Sequence, residues 1–213
     1  MIKNFKTENN FKDYINGLSL VEIGTGAEGT AYFDRKNNEA IKIMDGYDNR
    51  FYRLNRLITQ DDIKVDSYIF PKDLYVCDDD ILGYNMDYFQ NDLFNIDLYL
   101  SGRKKLIDLV DLLNAYEVIK KDTDVLSQNK IYVEDLFSNL VYDGKKLAGI
   151  DTLGYYRTDR KDLREQNIAS LYYALNLELG RRLSDYTYNP NSVFEDNVND
   201  YIKNHGTSKV LIR

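Results

Sequence analysis

Apolar positions along the chain fall into two periods. From Leu18 to Met44 they sit in short β-prone runs: one leads into a glycine-rich stretch, one is Thr30-Ala31-Tyr32-Phe33, and one is Ala40-Ile41-Lys42-Ile43-Met44. The polar run Asp34-Arg35-Lys36-Asn37-Asn38 between the last two predicts a turn, so three strands are expected here. Asp48 to Thr59 places Phe51, Leu54, Leu57 and Ile58 at i, i+3, i+6 and i+7, one apolar helical stripe. Tyr68 to Val76 and Ile81 to Phe89 return to strand pattern around Asp78-Asp79-Asp80. Leu106 to Val125 carries too many apolar residues for an exposed helix and predicts a central one. Short extended runs follow over 131 to 151, a helix over 161 to 183, and loops with one last helix around Val193 to Lys203. Met1 to Gly17 reads as a short helix or arm. Neither an internal repeat nor a low-complexity linker interrupts this order.

Composition narrows the function. With 213 residues, 43% hydrophobic and 30% charged, the chain suits one large soluble domain or two small lobes. Its net charge of −7 argues against a nucleic-acid partner and against an anionic membrane surface. Cys77 is the single cysteine and His205 the single histidine, which excludes an internal disulfide, a cysteine zinc cluster and His-rich metal sites. Cys77 is expected to be buried and His205 exposed. No apolar run approaches the ~18 residues of a membrane span, and the N-terminus has no signal-like apolar region. The expected location is the cytoplasm, with a signal-less secreted effector as the other reading. The 19 tyrosines are scattered and have no basic groove beside them, so they do not suggest a base-stacking surface.

Gly24, Gly26 and Gly29 give the spacing G-x-G-x-x-G, which alone is a weak signal. A dinucleotide-binding turn would open a helix after the third glycine, whereas a hairpin pattern follows here. A P-loop would need Gly-Lys-Ser/Thr, which is missing. A glycine turn in a hairpin, with Lys42 on the next strand, resembles the nucleotide-covering loop of protein kinases.

The stretch Ile131 to Asp151, IYVEDLFSNLVYDGKKLAGID, supports the same resemblance. A phosphoryl-transfer site needs a carboxylate for the attacking hydroxyl, and an Asn and an Asp to hold Mg²⁺ against the phosphates. Here acids at 134 and 135 precede Asn139, a hairpin from Leu140 to Ile150 turns at Asp143-Gly144, and Asp151 follows. The chain is thus similar to the protein kinase-like family over roughly residues 18 to 180. The resemblance implies a two-lobed α+β fold with an antiparallel N-lobe sheet (about 1–88) and a shortened helical C-lobe (about 89–213), together a single domain. It implies ATP and Mg²⁺ as cofactors and a protein as substrate or partner, with neither nucleic acid nor membrane. Lys42 would pair the α/β-phosphates beneath Gly24, Gly26 and Gly29, and Asn139 and Asp151 would be the metal ligands. Ile23, Ala31, Ala40 and Val141 would sandwich the adenine, whose edge would meet the hinge Met86-Asp87-Tyr88.

The departures are specific. Tyr132 and Val133 stand where the family usually has His and Arg. Glu134 takes the catalytic base position by spacing, and Asp135 by residue type; both are carried. Thr152-Leu153 replaces Phe-Gly after the metal aspartate, and no Ala-Pro-Glu follows. The helix over 48 to 59 offers Arg50, Arg53 and Arg56 where a Glu should pair with Lys42, leaving Asp48 and Asp61-Asp62 as the nearest acids. An active serine/threonine-type kinase is the first reading. A pseudokinase that binds nucleotide or a partner, and a small-molecule kinase of aminoglycoside or choline type, are the rivals.

Overall fold

The glycine-rich stretch folds as the alternation of β-prone and turn residues requires. In the computed structural model, which describes residues 1–45, 57–78, 80–90, 93–94, 100 and 102–212, β2 (Leu20–Gly26), β3 (Gly29–Asp34) and β4 (Glu39–Met44) run as consecutive antiparallel neighbours. Asp34, 1% exposed, makes the β3–β4 turn: its carboxylate accepts from the Lys36 N–H at 2.9 Å and from Asn37 Nδ2 at 2.8 Å. Asn38 then takes the left-handed conformation that Asn tolerates best among non-glycine residues. With β1 (Ile2–Phe5), β5 (Asp73–Cys77) and β6 (Asp80–Asp87), these strands form one six-stranded sheet in the order β1-β5-β6-β4-β3-β2.

The expectations for this part need four corrections. The N-terminal arm is a strand followed by helix α1 (Glu8–Asn16), whose N-cap Thr7 accepts from the Asn10 N–H. Strand β1 pairs with β5 in parallel, so the sheet is not wholly antiparallel. The first strand after the helical stripe begins at Asp73 and not Tyr68, and the next ends at Asp87 and not Phe89. Pro71 lacks the N–H a ladder requires, which accounts for the late start. Leu57 to Thr59 are not helical, and the rest of that stripe, 48–56, lies outside the described residues.

The chain divides into two compact units. The first comprises Met1–Lys64, Ile69–Phe89 and Asp151–Tyr156; the second comprises Val65–Tyr68, Gln90–Ile150 and Arg157–Arg213. The core of the first gathers Ala40, Met44, Leu74, Val76, Ile81, Tyr84 and Met86 with Leu153, which comes from more than sixty residues further along the chain. On another cluster of that unit, Phe11 of α1 packs with Ile41 and Tyr75.

The second unit contains α2 (Leu109–Gln128), α3 (Leu163–Arg182) and α4 (Phe194–His205). Helix α2 begins three residues later than the apolar pattern suggests. Leu106 and Ile107 lie in strand β7 (Lys105–Asp108), and Asp108 caps the helix by accepting from the Val110 N–H at 2.9 Å. The buried stripe of α2 runs through Leu109, Leu112, Tyr116, Ile119, Thr123 and Leu126, whereas Val110 and Val118 are exposed. The two-residue strand β8 (Ile131–Tyr132) follows; β9 (Leu140–Tyr142) and β10 (Leu147–Gly149) form the expected hairpin, and β11 (Tyr156–Arg157) comes after it. The hairpin turn is held by Asp143, whose Oδ1 accepts from the N–H groups of Lys145 and Lys146. A strand missed in the tail, β12 (Lys209–Ile212), pairs with β7. The fold is mixed α+β with one large sheet. No helix among the described residues is long and apolar enough to cross a membrane.

Candidate functional site

In the first unit, the site is built on the β2–β3–β4 hairpins. Gly26 pairs with Gly29 across a two-residue turn, Ala27-Glu28, and Gly29 pairs in turn with Met44 on β4. Gly29 has φ +152°, and a Cβ there would lie 2.1 Å from the Ile43 carbonyl oxygen. Only glycine lets the loop lie this close to β4. Gly24 and Gly26 differ: a Cβ at Gly24 would meet nothing within 4 Å, and one at Gly26 only the Gly29 oxygen at 4.0 Å. Neither internal packing nor backbone conformation demands glycine at these two positions, whereas close approach of a ligand to the backbone would.

Lys42 is 8% exposed, inside β4. A lysine this buried needs compensating partners, and it has two carboxylates. Its Nζ donates to Asp151 Oδ1 at 2.6 Å and Oδ2 at 2.7 Å, and to Glu28 Oε2 at 3.1 Å. The partner expected from Asp48 or Asp61-Asp62 is therefore supplied elsewhere. Asp62 caps Thr59 through its N–H and hydroxyl, and Asp48 lies outside the described residues. Asp151 also accepts from the Tyr84 hydroxyl at 2.8 Å, and its backbone is left-handed, φ 57°. Asp151 is thereby fixed by two donors from neighbouring strands, and Leu153 is buried two residues on.

The other residues of the first unit fall as follows. Ala40 and Met86 are buried in the sheet core, Ala31 is half-buried, and Ile23 is 46% exposed at a bulge in β2. Asp87 pairs with Lys72 at 2.6 Å, and Tyr88 packs on Phe33 with ring centroids 4.2 Å apart. Cys77 is half-buried at the end of β5, not fully buried as expected, and burial with three nearby carboxylates pushes its thiol pKa up.

Glu134, Asp135, Asn139 and Val141 belong to the second unit. Glu134 and Asp135 are exposed, and Asp135 is left-handed at φ 47°. Asn139 Nδ2 donates to the Asp135 carbonyl at 3.1 Å, and its own carbonyl accepts from the Ile150 N–H at 2.8 Å. Val141 is buried. Val133 is 1% exposed. The segment ahead of the two acids is pinned by Asn167 on α3, which is fully buried. Its Oδ1 accepts from the Val133 N–H at 2.9 Å, and its Nδ2 donates to the Ile131 carbonyl at 2.9 Å and to Ser127 Oγ at 3.0 Å.

Glu28, Tyr84 and Asn167 were not singled out from the sequence. A signal existed for two of them. Counting pairs down the hairpin places the Ala27-Glu28 tip at the Met44 end of β4, within reach of Lys42. Asn167 stands four residues after Leu163 and four before Leu171, on an apolar helix stripe where an amide must find buried partners.

The donors implied for a metal are an aspartate and an asparagine oxygen, chemistry suited to Mg²⁺. Among the described residues, no three His, Cys, Asp or Glu side chains group to hold a metal ion.

No known protein family and no curated protein matches this sequence. Among solved structures, the fold is similar to a twitchin kinase fragment from C. elegans, described as an autoregulated protein kinase with immunoglobulin domains. The TM-score is 0.50 at 16% identity, covering 76% of this chain and 36% of that one. At this identity the likeness concerns the fold alone. It is a distant structural similarity to a protein kinase.

Proposed function

We propose that the protein is an ATP-dependent phosphotransferase, a small atypical kinase with the two-lobed arrangement of that fold, acting on a protein hydroxyl. One observation carries this reading: a buried strand lysine is clasped by the aspartate expected to bind metal, 109 residues away in sequence, beside a hairpin whose Gly24 and Gly26 have no internal need to be glycine. The kinase-like fold supports it.

In this reading the hairpin N–H groups line the phosphates, and Lys42 donates to the α/β-phosphate oxygens. Asp151 and Asn139 would hold Mg²⁺, which when bound neutralises charge on the phosphates. Glu134 or Asp135 orients the acceptor hydroxyl and takes its proton. The acceptor oxygen forms a bond to the γ-phosphorus as the bond to the β-γ bridging oxygen breaks, and ADP leaves. Positioning and charge neutralisation do most of the work.

A second reading, a nucleotide- or partner-binding protein without transfer, is favoured by the two carboxylates already on Lys42 and by buried Val133 in the arginine's place. Incubation with Mg²⁺ and γ-labelled ATP, alone and with casein-like acceptors, separates the two. Transfer that is lost in Lys42→Ala and Asp151→Asn is expected. ATP binding with no transfer would favour the second reading.

A further inference from the structure

Glu28 sits at the tip of the glycine hairpin, and three separate features hold it against Lys42. Gly29 lets the hairpin lie on β4 at a distance no Cβ would permit. The Asp45 N–H donates to the Glu28 carbonyl at 3.0 Å, fixing the backbone of the tip. The Glu28 carboxylate then reaches Lys42 Nζ at 3.1 Å. Glu28 keeps 40% of its side chain exposed, whereas Lys42 keeps 10%, so the acid is the member of the pair that solvent reaches.

We infer that Glu28 is an electrostatic latch on the nucleotide site: it closes the glycine loop onto Lys42 and must swing away before phosphates can take its place. This rests on the nucleotide reading above. A polyphosphate bears several negative charges and seeks the same ammonium donors, so it competes with Glu28 for them and is repelled by the carboxylate. Lys42 has three N–H donors, and Asp151 takes two contacts while Glu28 takes the third. Opening of the loop tip and binding of the nucleotide are thus coupled through one side chain, and Glu28 sets how readily the site accepts ATP.

The test uses the full chain with Glu28→Gln and Glu28→Ala, and Glu22→Gln as control. Glu22 lies on the same hairpin but accepts from the Thr25 hydroxyl at 3.1 Å. Hydrogen exchange of the 20–34 segment without nucleotide reports the latch itself. Calorimetric titration with ATP and ADP in Mg²⁺ reports its effect on binding. Both Glu28 variants are expected to exchange faster and to bind nucleotide severalfold more tightly, with the gain shrinking as salt rises, and Glu22→Gln to match the parent. Unchanged exchange would overturn the latch. Faster exchange with weaker nucleotide binding would make Glu28 a support for Lys42 and would also overturn it. Faster exchange with no nucleotide bound by any of the proteins would keep the Glu28 restraint but remove both the gating role and the nucleotide reading.

Discussion

Asn167 shows how much of this protein depends on single polar side chains in apolar surroundings. Its amide satisfies the Val133 N–H and the Ile131 carbonyl, two backbone groups that have no water to turn to. Asn167→Leu keeps the branched shape and removes both bonds, so it should cost on the order of 2–5 kcal/mol, since each buried unsatisfied group costs about 1–3 kcal/mol. Chemical denaturation measures that loss. Any transfer activity should fall further than stability does, because Glu134 and Asp135 follow directly. Lys120 and Glu195 make the other informative pair. Burial would raise the Glu195 carboxyl, yet the Lys120 ammonium bonded to it holds it below the ordinary 4.5. A depressed carboxyl contributes stability above its unfolded value and loses it as pH falls through the folded one. Glu195→Gln should therefore remove up to about 1 kcal/mol of stability at neutral pH and flatten the acid limb below about pH 4.5 in a pH series of melting curves. The partners of Glu195, Lys120 and Asn167 are known only from the structure, because they lie 34 to 75 residues away.

Among the elements, the glycine hairpin was the most legible. Its strand-turn-strand pattern and its lysine are local properties, and β2, β3 and β4 fall where alternation places them. What the sequence concealed were short edge strands. IKNF and KVLI owe their strand state to pairing with β5 and β7 and have no local pattern strong enough to announce it. Helix α2 was legible in type but not in start, because Asp108 marks the cap only once β7 is known. The three glycines can be separated by experiment. Gly29→Ala places a methyl 2.1 Å from a backbone oxygen, so it should destabilise the protein by roughly 1–3 kcal/mol or more, as overpacking does. Gly24→Ala meets no neighbour and Gly26→Ala only the Gly29 oxygen at 4.0 Å, so both should melt within about 0.5 kcal/mol of the parent, as surface changes do. Their effect should appear instead as weakened nucleotide binding. Loss of stability in all three, with binding unaffected in Gly24→Ala and Gly26→Ala, would reduce the loop to a structural turn.

For the whole molecule, the consequential feature is that neither compact unit is contiguous in sequence. Leu153, 2% exposed, completes the core of the first unit, and Asp151 supplies the two shortest bonds to Lys42. A fragment of residues 1–89 therefore lacks a fully buried leucine, worth about 1.5–3 kcal/mol, and leaves Lys42 without its main counter-charge. Such a fragment should show weak amide protection in β4 to β6, where the full chain is expected to show strong protection. Native-like protection in the fragment would mean that Asp151–Tyr156 is dispensable.

The same long-range clasp underlies the functional account, in which Lys42 and the glycine hairpin receive the phosphates of ATP. Calorimetric titration of the full chain with ATP and Mg²⁺, beside Lys42→Met, tests this most directly. The account predicts saturable one-to-one binding by the parent that is weakened at least tenfold by Lys42→Met. Absence of binding up to millimolar ATP, or equal affinity in the two proteins, would contradict it.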